Sequence, residues 1–153
     1  MLVKDVMSKN VITISPDESI GEAIEKMAKN NISGLIVVEN EKVVGVISES
    51  DIVREFGSKL PELKVSTSVT LSILLLLESG IKIINEMKKV GRLRVRDLMS
   101  KKVFFVRPED TILDAARIMS KEDVRRLPVI DRDGKLVGVI SRTDILRALL
   151  VEQ

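Results

Sequence analysis

The sequence contains no cysteine, no histidine, no tyrosine and no tryptophan. Without cysteine there is no disulfide, no thiol nucleophile and no zinc–thiolate centre. Without histidine, the commonest general base and the commonest transition-metal ligand are both gone. Carboxylates and lysines remain as catalytic groups, but most of the usual enzyme constellations are excluded. Neither a Walker-type G-x-x-x-x-G-K-[ST] nor a G-x-G-x-x-G occurs, so no phosphoryl-transfer or dinucleotide fingerprint is present. Charge of one sign is lacking too: 25 basic residues face 23 acidic ones, for a net charge of +2. That balance gives no general affinity for nucleic acid or an anionic membrane. The longest apolar run, residues 69–77, is too short to span a bilayer, and Glu78 and Lys82 interrupt its extension. The apolar stretch 11–14 is too short for the core of a signal peptide. The expectation is a cytoplasmic protein with no metal, no obligatory cofactor, no membrane and no nucleic-acid partner.

What is present is an internal duplication. Val3-Lys4-Asp5-Val6-Met7-Ser8-Lys9 returns as Val95-Arg96-Asp97-Leu98-Met99-Ser100-Lys101. One constant offset then holds through Pro16/Pro108, Ile20/Ile112, Ala23/Ala115, Met27/Met119, Leu35/Leu127 and Val37/Val129. A single residue is added near Asp133-Gly134, after which Val44-Gly45-Val46-Ile47-Ser48 matches Val137-Gly138-Val139-Ile140-Ser141. With 153 residues and 44% apolar content, two small halves can share a core.

Each copy reads as strand, helix, strand, strand, helix. Residues 11–14 and 103–106 are short β-branched or aromatic runs closed by proline. Ser19 with Glu22, and Thr111 with Asp114, have capping-box spacing at a helix start. Ile20, Ala23, Ile24 and Met27, like Ile112, Ala115, Ala116 and Met119, then form one apolar helical face. Strands follow at 35–38 and 43–47, and at 127–130 and 136–140. The second hairpin turns on Asp133-Gly134. Asp131-Arg132-Asp133-Gly134 faintly matches a calcium loop, but the later ligands are missing, so a turn is expected. A final helix opens at Ser48 and at Ser141. Strands this rich in Val and Ile need cover on both faces.

The stretches Gly45-Val46-Ile47-Ser48-Glu49-Ser50-Asp51-Ile52 and Gly138-Val139-Ile140-Ser141-Arg142-Thr143-Asp144-Ile145 resemble the G-h-h-S/T-x-x-D signature of CBS domains. The Pro-x-x-S/T, Ala-x-x-x-Met and Leu-Pro-Val elements match in the same order. The resemblance covers about residues 1–54 and 93–150. Ile36 departs from it by replacing the family's proline in the first copy, and the connector is long. The resemblance implies an α/β (α+β) fold of two β-α-β-β-α domains, 1–54 and 93–153, packed as a pseudo-two-fold pair around a connector, 55–92. It also implies a non-catalytic regulatory module that binds AMP, ADP, ATP or an S-adenosylmethionine-type ligand between the two domains, and self-association into a homodimer. One implied pocket groups Ile14, Ser19, Ile32, Ser33 and Gly34 with Val139, Ser141, Arg142, Thr143 and Asp144. The other groups Val46, Ser48, Ser50 and Asp51 with Val106, Thr111, Val124, Arg125 and Arg126. In both, Asp takes the ribose and aliphatic side chains hold the adenine.

The S-x-x-D motif has two readings. Ser48 with Asp51, and Ser141 with Asp144, can simply cap the final helices. The same helix start presents N–H donors that suit phosphate, and an Asp that can accept hydrogen bonds from a ribose diol. Capping and binding are compatible. Arg125-Arg126 stands where the first copy has Ser33-Gly34, so the Asp51 pocket is expected to favour phosphates. Arg142 is then the nearest cation to Asp144. The connector is expected to be helical to about Lys89, as a packed or dimer-interface helix pair. Two other readings stay open: a structural or partner-binding module with vestigial pockets, serving an effector protein, and a carboxylate-based enzyme.

Overall fold

The structure, a computed structural model, describes residues 1–60 and 68–151. Its elements are α1 (Val3–Val6), β1 (Thr13–Ile14), α2 (Ile20–Asn30), β2 (Gly34–Glu39), β3 (Lys42–Ser48), α3 (Glu49–Ser58) and α4 (Val69–Arg92). These are followed by α5 (Val95–Leu98), α6 (Ile112–Glu122), β4 (Arg126–Ile130), β5 (Leu136–Ser141) and α7 (Arg142–Val151). They form two compact units. One comprises Met1–Ile14, Ile36–Val46 and Ser100–Gln153, and the other Ser15–Leu35 and Ile47–Met99.

The first unit is built on the antiparallel β4–β5 hairpin, with Leu127 opposite Ile140 and Val129 opposite Gly138. The turn closes where expected. Gly134 adopts φ 83°, and the Asp131 carboxylate accepts the N–H groups of Asp133 and Lys135, both at 2.9 Å. Among the described residues no group of three or more potential metal-ligating side chains converges. Leu127, Val129 and Ile140 pack with Ile112, Ala115 and Met119, the apolar face of α6, in one buried cluster. The α6 face follows from its i, i+3, i+7 spacing, and its start from the Thr111–Asp114 capping box.

Val106 bridges Val129 in parallel, its N–H reaching Pro128 O at 3.1 Å and its carbonyl accepting from Ile130 at 2.9 Å. Residues 103–105 do not continue this into the expected strand. The next parallel rung needs an N–H from position 128, where proline has none. At the equivalent rung of the first copy Ile36 retains its N–H, and β1 forms there, pairing Thr13 with Ile36 and Ile14 with Val37. Even so, β1 spans two residues rather than the four expected. The β2–β3 turn places Asn40 and Glu41 at φ 52° and 66°, the left-handed geometry of a tight hairpin.

The leader of each copy docks on the other. Within the first unit, Val3 N–H donates to Asp110 O at 2.8 Å, Lys4 N–H to Pro108 O at 3.0 Å, and Ile112 N–H to Met1 O at 3.1 Å. Within the second, Val95 donates to Glu18 at 2.9 Å, Arg96 to Pro16 at 2.9 Å, and Ile20 to Leu93 at 2.8 Å. Val3 and Val95 are fully buried, so each leader is a core element.

The second unit holds α2, α3, α4 and α5. The connector, expected as a helix pair over 55–92, comprises the end of α3 and one 24-residue helix, α4. Its residues 61–67 lie outside the described residues. Ser68 caps α4, its Oγ accepting from Leu71 at 3.3 Å, and the helix runs past Gly91 to Arg92. No helix among the described residues is long and apolar enough to cross a membrane.

Candidate functional site

Each S-x-x-D turn sits at the junction between the second strand of a hairpin and the helix after it. In the first copy, Ser48 donates both its N–H (2.9 Å) and its hydroxyl (3.0 Å) to Asp51 Oδ2, while Asp51 N–H donates back to Ser48 Oγ at 3.3 Å. In the second, Ser141 N–H donates to Asp144 Oδ2 at 2.8 Å, and Asp144 N–H to Ser141 Oγ at 3.2 Å. The sequence motif is therefore a capping box in both copies. Capping engages Oδ2 only. Asp51 Oδ1 receives Arg54 Nη1 at 3.4 Å, and Asp144 Oδ1 has no protein donor among the described residues. Both aspartates are partly buried, whereas Ser50 and Thr143 are exposed.

The residues just before β2 and β4 contact these turns within their own copy. Glu49 N–H donates to Ser33 O at 2.9 Å, and a Cβ on Gly34 would lie 3.3 Å from Ile47 O. Arg142 N–H donates to Arg125 O at 3.0 Å, and Arg126 pairs with Ser141 in the β4–β5 ladder. The resemblance groups Arg125 and Arg126 with Asp51, and Ser33 and Gly34 with Asp144, across the copies; the contacts observed are those within each copy. The structure brings the arginine pair against the Ser141–Asp144 turn and Ser33–Gly34 against the Ser48–Asp51 turn. Arg125 and Arg126 are exposed and have no ion-pair partner among the described residues. Arg142, expected to serve as the cation beside Asp144, turns its guanidinium to Asp123 at 3.3 Å.

Other predicted residues have local structural roles. Ser19 caps α2 by accepting from Glu22 at 3.1 Å, and Thr111 caps α6 by accepting from Asp114 at 3.2 Å. Asp114 returns the bond, receiving Thr111 N–H at 3.0 Å. That backbone bond, with help from the Thr111 hydroxyl and Arg117, holds the Asp114 carboxyl below its ordinary value despite a small opposing effect of burial. Ile14 and Val106 are buried core residues, and Ile32 and Val124 are half-buried.

The backbones of Val139 and Val46 are occupied by residues that the sequence reading did not single out. Ser8 exchanges two hydrogen bonds with Val139, both 2.9 Å, and Ser100 exchanges two with Val46, at 3.0 and 2.8 Å. The signal for these serines was present, since Met-Ser-Lys recurs in both leaders at positions that serve no strand or helix pattern. Two open cavities lie in the first unit. One, of about 320 Å³, is lined by Phe104, Phe105, Ile118 and Lys121, and the other, of about 430 Å³, by Lys9, Thr13, Val38 and Lys135. Neither is lined by a predicted site residue.

A family model for the CBS domain matches the chain twice, over residues 3–58 and 95–151, and both turns fall inside the matches. The chain belongs to the CBS-domain family. It is a tandem CBS protein of mixed α/β structure. It is 37% identical over 155 residues to the uncharacterized protein MJ1426 of Methanocaldococcus jannaschii, covering 98% of this chain and 92% of that one. A solved structure of CBSX2, an Arabidopsis thaliana CBS-pair protein, in complex with AMP superposes with a TM-score of 0.72 at 29% identity, covering 98% of this chain and 97% of that one. The CBS domain pair of protein MJ0100, solved with 5′-methylthioadenosine and S-adenosylmethionine, gives a TM-score of 0.67 at 25% identity, covering 97% and 99%. In sequence, the chain spans 60% of the full CBSX2 protein.

Proposed function

We propose that this tandem CBS protein is a non-catalytic, cytoplasmic regulatory module that binds adenosine-containing ligands and works as a homodimer. The single observation that carries the reading is the duplicated S-x-x-D turn whose aspartate retains ligand-accepting capacity after capping is satisfied. A carboxylate oxygen can take both protons of a ribose diol, and a helix start adds N–H donors toward phosphate. The Asp144 turn is the better phosphate site, because Arg125 and Arg126, without an ion-pair partner among the described residues, adjoin it and guanidinium forks match phosphate oxygens. The Asp51 turn, flanked by the uncharged Ser33 and Gly34, suits a less anionic ligand of the S-adenosylmethionine type. This assignment reverses the charge preference expected from sequence. The complexes of CBSX2 and MJ0100 with adenosine compounds support the ligand class.

Thermal denaturation of ligand-stripped protein with AMP, ADP, ATP or S-adenosylmethionine tests the reading. A native-state ligand raises the melting temperature by mass action. No shift with any of the four at millimolar concentration removes the sensor function. Incubation with ATP or AMP and analysis of the products tests the non-catalytic part, which turnover would overturn.

A further inference from the structure

Residues 103–105 leave an edge of the first unit open. Among the described residues, the backbone N–H and C=O groups of Val103, Phe104 and Phe105 have no hydrogen-bond partner. Pro128 offers them no donor for the next rung with β4, so the chain does not close this edge on itself. An unpaired run of backbone donors and acceptors is a template for another extended segment.

The same three residues line the cavity of about 320 Å³, together with Arg117, Ile118, Lys121 and Glu122 from the last turns of α6. Phe105 is 40% exposed there. Lys102 Nζ lies 5.4 Å from the centre of the Phe104 ring, and the Arg107 guanidinium 5.1 Å from that of Phe105. Arg107 hydrogen-bonds only to the carbonyls of Ile130 and Asp131, which leave its charge uncompensated. Arg117 meets Asp114 at 3.9 Å with a side chain 79% exposed, a weak pair. The groove is thus apolar within and cationic around, with Glu122 as the single carboxylate in its lining.

The duplication supplies a control. At the constant offset, Phe104 and Phe105 stand where the first copy has Ile12 and Thr13. Lys102, Arg107 and Arg117 stand where it has Asn10, Ser15 and Glu25. There Thr13 pairs with Ile36 in a ladder instead. The adjacent rings, the added cations and the missing rung all belong to the second copy. The fold that both copies share does not require them.

We propose that residues 103–105 pair with an extended segment of a partner protein that alternates apolar and acidic side chains. An added strand draws affinity from main-chain hydrogen bonds and specificity from pockets for alternate side chains. One apolar side chain fills the cavity against Phe104, Phe105 and Ile118, and carboxylates meet Lys102, Arg117 and Lys121. The adenosine sites do not enter the inference, and its failure would leave them untouched.

Nuclear magnetic resonance of the full-length protein, titrated with a short capped peptide of alternating leucine and glutamate, tests the inference. The amides of residues 103–105 should shift and exchange more slowly. Peptides with lysine in place of glutamate, or with proline at alternate positions, should bind roughly tenfold or more weakly, given the worth of a hydrogen bond to a charged group. Phe105→Thr combined with Arg117→Glu installs the residues of the first copy and should weaken binding to a similar degree, with unchanged far-ultraviolet dichroism. No shift at residues 103–105 with millimolar peptide, or equal binding of the lysine peptide, overturns the proposal. Hexanoate matching the peptide in affinity at these amides would make the groove a site for small organic anions, and also overturns it. Concentration-dependent shifts of the same amides without peptide would assign the edge to a second copy of this chain instead. Should the double variant misfold, the peptide series alone decides.

Discussion

The backbone N–H of Arg142 donates to the carbonyl of Arg125 at 3.0 Å, tying the segment before β4 to the start of α7. In the first copy Glu49 N–H does the same to Ser33, at 2.9 Å. Each S-x-x-D turn thus has a neighbour from its own copy, and the duplicates differ there: Arg-Arg in one, Ser-Gly in the other. Arg126→Ala and Asp144→Asn should therefore impair one and the same site. Hydrogen bonds to charged groups are worth about 1.5–3 kcal/mol, so AMP affinity at that site should fall roughly tenfold or more with either change. Asp51→Asn should leave that site's affinity within about twofold, since its turn is flanked by no arginine pair and uncoupled sites perturb each other little. Titration calorimetry resolves this, and an Arg126 effect that coincides with Asp51→Asn would refute the assignment.

Glycine at position 138 is demanded by the leader of the first copy. A Cβ there would lie 2.7 Å from Met7 Sδ and 2.9 Å from Ser8 O. The thioether can turn aside, but the backbone carbonyl is held by its bond with Val139. Gly138→Ala should cost about 1–3 kcal/mol in chemical denaturation, the usual range for overpacking a tight core. In contrast, Gly57→Ala meets nothing within 4 Å inside α3 and should stabilise by about 0.5–1 kcal/mol. Equal effects of the two changes would show that the leader is not held against β5.

The leaders also mark the limit of what sequence reading reached. The duplication, the helix starts at Ser19 and Thr111, and the Asp133-Gly134 turn were legible because each is a local pattern spanning a few residues. Which copy a leader docks on is a non-local choice. Val3 bonding to Asp110 and Val95 to Glu18 leave no trace in spacing, only the unexplained similarity of two seven-residue segments that match at five of seven positions. The neighbours of each S-x-x-D turn within its own copy were not legible for a similar reason: a family pattern names the residues of a site, but strand register decides which of them touch. The strand expected at 103–106 was over-read because β-branched composition says nothing about whether the opposite strand has an N–H to offer.

That last point gives a third expectation. Ile36→Pro would install in the first copy the donor gap that the second has at Pro128. It should remove N–H capacity beside β1 and leave a void where a buried isoleucine stood, costing on the order of 2–4 kcal/mol. Amide exchange near Thr13 and Ile14 should accelerate before global unfolding does. Unchanged protection there would mean that β1 is held by packing rather than by its ladder with β2.

The capping box of α6 should be visible in the acid limb of stability. Asp114 has its carboxyl held low by the Thr111 N–H, then by the Thr111 hydroxyl and by Arg117, 3.9 Å away. The folded state therefore binds a proton there less readily than the unfolded chain, whose ordinary value is about 3.9. The resulting stabilisation is complete above that unfolded value and is lost as pH falls through the lower folded one, because the protonated carboxyl is a poorer acceptor for the helix N–H. Asp114→Asn abolishes the titration and retains part of the cap. Plotted against pH, the stability difference between wild type and variant should be largest near neutrality and shrink as pH drops below about 4. Thr111→Val, which removes the hydroxyl but not the backbone donor, should leave most of that pH dependence in place. A difference that stays flat from neutrality to strong acid would mean that the Asp114 carboxylate contributes nothing to holding the first turn of α6.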